Sequence, residues 1–183
     1  VLQRKMPIRI WGFADAKEVV YVTLNGVSQS AITDKTRKWE VILPAMEAGG
    51  PFTLQIKGKA NEILFENVLI GDVWLCSGQS NMEFYLNWSA TAAQDVPQAA
   101  NSNIRLYDMK ARWRTDAVEW DASVLDSLNH LQYYKDTRWT VCSPETAGNF
   151  SAVAYYFGKK LQDSLQVPVG LICNAIDGSP TEA

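Results

Sequence analysis

One serine in this chain stands where a hydroxyl can become a nucleophile. Residues 71–82, Gly71-Asp-Val-Trp-Leu-Cys-Ser-Gly-Gln-Ser-Asn-Met82, read as an apolar strand that runs into a small-residue turn and delivers Ser80 to the start of a helix. Such a turn projects a side chain off the edge of a sheet. The first N–H groups of the helix have no intrahelical partners there and carry the positive end of its dipole. Hydrolysis of a carboxylic ester through an acyl-enzyme needs both features at one place: a hydroxyl to take the acyl group and free donors to hold the oxyanion. The pattern Gly78-Gln79-Ser80-Asn81-Met82 lacks the second glycine of the Gly-x-Ser-x-Gly elbow, which argues against an α/β-hydrolase. A serine at a strand-to-helix junction also serves as a helix cap, and spacing alone leaves that reading open. The histidine and carboxylate that ordinarily activate such a serine are not evident from spacing.

The elements that must position Ser80 change character along the chain. Ile8 to Ala14 alternates. Val20, Val22 and Leu24 share one face before Asn25-Gly26, a two-residue hairpin signal; Trp39 to Leu43, Phe52 to Ile56 and Glu62 to Ile70 follow, punctuated by Pro44 and Gly49-Gly50-Pro51. Five short strands with no helical period between them predict a small antiparallel β-sandwich over residues 1–70. From Asp72 strand and helix alternate. A buried strand at Asp72 to Ser77, a helix from Ser80 to Trp88 and a strand at Ile104 to Asp108 come first. Residues 110–138 lack a clean period and read as an irregular insertion. Val153, Phe157, Leu161 and Leu165 then mark one helix face, begun near Asn149 or Ser151 and ended before Pro168, and Val169 to Cys173 makes a third buried strand. Residues 71–183 thus read as the opening of a parallel α/β sheet.

Bulk properties exclude several classes. With 17 basic and 20 acidic side chains, a net charge of −3 and no long run of either sign, the chain lacks the footprint of a nucleic-acid binder. No apolar run approaches the ~20 residues of a membrane helix; Val1 begins in apolar, strand-like sequence, so any signal peptide is expected to have been removed. Cys76, Cys142 and Cys173 form no Cys-x-x-Cys pair, so neither a structural zinc nor a disulfide scaffold is expected; Cys76 and Cys173 sit in apolar runs as buried small hydrophobes.

The Gly71 to Met82 block closely resembles the first signature block of the sialate O-acetylesterase family, a branch of the SGNH (GDSL-like) hydrolases. Supporting resemblances run in the family's order: Val1-Leu-Gln-Arg4, Ile10-Trp-Gly-Phe13, Leu43-Pro-Ala-Met46 with Gly49-Gly50-Pro51, Phe150-Ser-Ala-Val153 with Tyr156-Phe-Gly158, and Pro168-Val-Gly-Leu-Ile172. The resemblance implies a β-sandwich beside a flavodoxin-like SGNH domain, and removal of acetyl groups from carbohydrate hydroxyls outside the cytoplasm without a cofactor or metal. Carried over, Ser80 is the nucleophile and its own N–H one oxyanion donor. The family's Gly-Gly-Thr-Pro run stands here as Asp177-Gly178-Ser179-Pro180, which makes Gly178 the second donor. Asp177 departs from the pattern, and a carboxylate there would oppose the oxyanion unless it faces solvent or a sugar hydroxyl. Gln79 and Asn81 are expected to pack the turn or touch substrate.

The family's base lies in an Asp-x-x-His motif near the end of the catalytic domain. Asp126-Ser-Leu-Asn-His130 has one residue too many and falls in the insertion, so His130, the only histidine, is expected on the rim. Base and acid are then expected from a C-terminal remainder of the same protein, the present chain beginning and ending inside family motifs. The rival reading is a carbohydrate-binding, catalytically degenerate hydrolase fragment, suggested by the aromatics Trp88, Trp113, Trp120, Tyr133 and Tyr134.

Overall fold

Period-two patterning builds the first part of the chain. The computed structural model of the protein describes residues 1–113 and 120–178 and divides into two units, Val1–Asp72 and Val73–Ala183. In the first unit run β1 (Leu2–Gln3), β2 (Ile8–Phe13), β3 (Val19–Leu24), β4 (Val27–Ile32), β5 (Lys38–Leu43), β6 (Gly49–Lys57) and β7 (Glu62–Gly78). Strands β4, β3, β6 and β7 lie side by side with β1 parallel on β7, and β2 pairs with β5. Alternation sends Val20, Val22 and Leu24 of β3 and Trp39, Val41 and Leu43 of β5 into one core with Ile8, Leu54 and Ile70. Asn25 and Gly26 both take positive φ, 48° and 77°, as the type I′ hairpin between β3 and β4 requires. Arg4 clamps β1 onto β7, its Nε and Nη2 donating to the two oxygens of Asp72 at 2.8 and 2.9 Å.

The expected strands at Glu62 to Ile70 and Asp72 to Ser77 are one strand, β7, because nothing interrupts its extended backbone between Gly71 and Asp72. Its last residues enter the second unit, where Trp74 and Leu75 are exposed and only Cys76 is buried. There the strand order continues through β10 (Val169–Ala175), β8 (Asn101–Asp108) and β9 (Thr140–Cys142). Strand β10 is parallel to β8, from Val169 opposite Ile104 to Cys173 opposite Asp108, and β9 is antiparallel to β8. Helices α1 (Ser80–Glu83), α2 (Ala92–Asp95), α3 (Ala122–Asn129), α4 (Pro144–Gly148) and α5 (Ala152–Leu165) complete a mixed sheet with helices. The core joins Leu86, Ile104, Leu106, Phe150, Tyr155, Val169 and Leu171.

Two expectations about helices are corrected. The helix expected over Ser80 to Trp88 stops at Glu83 and resumes as one 3₁₀ turn at Leu86–Trp88. Tertiary bonds take its backbone: Ala152 N donates to Phe84 O at 2.8 Å and Leu86 N to Phe150 O at 2.9 Å. Helix α5 buries Ala154, Tyr155, Gly158 and Gln162, while Val153, Phe157 and Leu165 of the expected face are exposed. Small residues set this helix down on the sheet. A Cβ added to Gly158 would lie 2.5 Å from Leu171 Cδ1, so close approach decides the rotation of α5 and the larger apolar side chains turn outward. The segment read as irregular also contains α3, none of whose residues is buried.

Candidate active site

Because β8 and β10 run parallel, their carboxyl ends open at the same edge, where ligands of open α/β sheets bind. Ile176 N, just past β10, donates to Gly78 O at 3.4 Å and brings the end of β7 to the same place. An open cleft of about 730 Å³ lies there, lined by Ser80, Glu83, Asp177 and Gly178 on one side and by an aromatic and basic wall on the other.

The serine turn is local in construction. Gly78 leaves no room for a side chain: a Cβ there would come within 2.9 Å of Met82 Cβ. Gln79 caps α1 with its own side chain, Oε1 accepting from Ser80 N at 2.8 Å. Ser80 Oγ has one proton and two acceptors within reach, Gln79 Oε1 and Asp177 Oδ1. The hydroxyl is exposed to the cleft and already polarised towards a carboxylate.

The opposing turn is held from a distance. Asp177 N donates to Glu83 Oε2, ninety-four residues back on α1, and Gly178 follows at φ +75°, a left-handed conformation in which glycine carries no penalty. Glu83 thereby ties the turn that carries the Gly178 N–H to the helix that carries Ser80.

The second wall comes from the break in the expected helix. Extended backbone at Phe84 and Tyr85 turns both side chains into the cleft, Leu86 drops into the core, and Trp88 returns to the cleft. Lys110, just past β8, donates to Tyr85 OH, Asn149 O and Asp108 Oδ2, each at 3.2 Å, and its ammonium lies 4.4 Å from the centre of the Tyr85 ring. Burial works against its charge, but Asp108 and Tyr85 together hold its pKa above the ordinary value. Burial pushes the Asp108 carboxyl up, and Lys110 offsets part of that rise. Arg112 and Lys135 add two further cations to this wall. Its base is clasped by Arg112 N donating to Tyr133 O and Lys135 N to Lys110 O, both at 2.8 Å. Among the described residues no three His, Cys, Asp or Glu side chains gather where a metal ion could be held.

Of the residues singled out by sequence, Ser80, Trp88, Trp113, Asp177 and Gly178 line the cleft together. Gln79 is spent on the cap of α1 and on Ser80, and Asn81 is exposed on α1 outside the cleft lining. Asp177 is exposed, and its Oδ1 accepts from Ser80 Oγ. His130 ends α3, its Nδ1 2.8 Å from Asp126 O, also outside the lining. Ser179 and Pro180 lie outside the described residues. Sequence reasoning missed Glu83, Tyr85 and Lys110, whose partners are remote in sequence.

A serine at a strand-to-helix turn, facing a glycine turn across a cleft at the carboxyl ends of parallel strands, has the form of a serine hydrolase site. No family model matches the chain. Its relatives identify it more closely: it is 32% identical to the human sialate O-acetylesterase over 190 residues, 95% of this chain and 34% of that protein. The rat sialate O-acetylesterase is 32% identical over 94% of the chain and 33% of its own length. A carbohydrate acetylesterase from Xanthomonas citri superposes with a TM-score of 0.86 at 34% identity, covering all of this chain and 39% of the other. The chain is a homologue of the sialate O-acetylesterases and spans about one third of the length of these relatives.

Proposed function

We propose that this chain carries the nucleophile side of a carbohydrate O-acetylesterase, hydrolysing acetyl esters on sugars through an acetyl-Ser80 intermediate. One observation carries the reading: the Ser80 hydroxyl opens on a cleft shared with Gly178, in a chain alignable almost throughout with sialate O-acetylesterases. Ser80 Oγ attacks the acetyl carbonyl and gives its proton to a base, and the oxyanion takes up the N–H groups of Ser80 and Gly178. For that, Gln79 Oε1 must leave Ser80 N, so substrate entry displaces the cap. Collapse of the tetrahedral intermediate expels the sugar hydroxyl, which takes the proton, and water then releases acetate.

The base is a histidine oriented by an aspartate in the chain that follows. On this reading residues 1–70 form a β-sandwich, residues 71–183 the first part of a flavodoxin-like SGNH domain, and the enzyme works outside the cytoplasm, where acetylated glycans are met. The test is acetate release from an O-acetylated sugar by the full-length protein. Ser80→Ala should lower kcat by at least about 10⁴-fold; undiminished turnover overturns the nucleophile assignment.

A further inference from the structure

The wall of Phe84, Tyr85 and Trp88 takes no part in the chemistry just described, yet its rings are fixed in place. Leu86, with no exposed surface, pins the segment to the core, and the backbone bonds of Phe84 and Leu86 to Ala152 and Phe150 fix its path. The three rings brace one another. Phe84 meets Trp88 edge-on at 5.7 Å between centres, and Tyr85 lies against Trp88 at 4.4 Å with a tilt of 36°. Lys110 in turn holds Tyr85 by its hydroxyl and by its ring face. The indole so positioned is nevertheless 62% exposed. Leaving so large an apolar surface in water forgoes burial energy, and an ordered aromatic face at the edge of a cleft is what a ligand with its own apolar face would cover.

The neighbours narrow the class of ligand. Arg112 and Lys135 line the same cleft as Trp88, so a ring seated on the indole shares the cleft with two cationic side chains that can donate to it. A pyranose fits that pattern, with C–H groups on its faces and hydroxyls around its edge. The acetylated sugar itself must place its ester at Ser80, between the two turns. The aromatic wall is therefore available to a neighbouring ring, whose binding supplies energy away from the reacting carbonyl. We propose that Phe84, Tyr85 and Trp88 form a subsite for a second sugar ring, with Trp88 as the stacking platform, so that the preferred substrate is an acetylated oligosaccharide rather than a lone acetylated monosaccharide. The inference rests on the esterase reading of the same cleft.

Three substrates test it in the full-length protein: 4-nitrophenyl acetate, an acetylated monosaccharide and an acetylated oligosaccharide of the same sugar. The oligosaccharide should be favoured in kcat/KM over the monosaccharide by about tenfold. Trp88→Ala should erase that preference through KM, and Trp88→Phe should restore part of it. The deacetylated oligosaccharide should quench tryptophan fluorescence in the parent and not in Trp88→Phe, which serves if the alanine variant folds poorly. Equal kcat/KM for the two sugars in the parent, or Trp88→Ala lowering all three substrates alike, overturns the subsite and leaves the esterase reading standing. Hydrolysis of none of the three overturns the esterase reading, and the subsite falls with it.

Discussion

Two turns meet across the cleft, and they are ordered by opposite means. The turn after β7 is self-contained: Gly78 lets the chain fold onto Met82, Gln79 caps α1, and Ser80 follows, all within five residues. The turn after β10 is held by remote partners. Asp177 is fastened by its N–H to Glu83 and by its carboxylate to Ser80, and Gly178 depends on a left-handed backbone. The proposed nucleophile is thus prepared by sequence neighbours, while its proposed oxyanion partner is set in place by a bond to the first turn. Catalytic geometry tolerates little displacement, since an error of about 1 Å costs about 10²-fold, so the second turn is the more fragile half of the site.

That asymmetry can be broken by mutation. The largest effect is expected at Gly178→Ala, where a Cβ at φ +75° forces the backbone to shift: kcat on an aryl acetate should fall about 10²-fold with KM little altered, and a fall below threefold would show that the turn is not held as described. Next comes Glu83→Ala, which frees Asp177 N; a drop of about tenfold or more in kcat is expected, with most of it recovered in Glu83→Gln, whose carbonyl can still accept. Equal losses in both variants would assign Glu83 a charge effect instead. A gain is expected at Asp177→Asn. Removing a carboxylate beside the Ser80 hydroxyl lifts repulsion of the oxyanion while keeping an acceptor, and kcat should rise roughly threefold at neutral pH, the effect being limited by solvent screening.

The smallest effect concerns the strands that feed the turns, each of which buries a thiol. Burial raises the Cys76 thiol of β7 and pushes Cys173 of β10 up to about 12 from an ordinary 9.0, with the Asp108 carboxylate adding to the rise. A folded pKa above the unfolded one means that ionisation favours unfolding. Stability from this source is complete below about pH 9 and is lost as pH climbs through the interval towards 12. Thermal denaturation should show the decline, and Cys173→Ala should flatten it more than Cys76→Ala does. The native protein should resist thiol-directed reagents at pH 8.

What could be read from sequence followed the same divide. Strands with clean alternation, such as β3 and β5, appear where their residues put them, and Ser80 announces itself through adjacent small residues. Glycine at 178 was marked only by resemblance. Glu83 carried no signal because its partner lies ninety-four positions away, and the break at Phe84 was hidden because its cause is a pair of bonds to Phe150 and Ala152. Helix α5 shows periodicity locating a helix but not its buried face: Leu161 packs against the core, whereas Val153, Phe157 and Leu165 are exposed, because the close approach of Gly158 to Leu171 outweighs them.

The clasp at the foot of the basic wall has a consequence for how this cleft can diversify. Ala111 and Tyr134 bridge, and the two flanking backbone bonds join the ends of the stretch between them independently of what that stretch contains. Doubling the length of a loop closed in this way costs only about 0.6 kcal/mol, so sequence can be grafted, lengthened or exchanged there while Lys110 and Arg112 keep their places. On the proposed function, selectivity for different glycans can then be retuned as a cassette, without disturbing either turn of the proposed ester site.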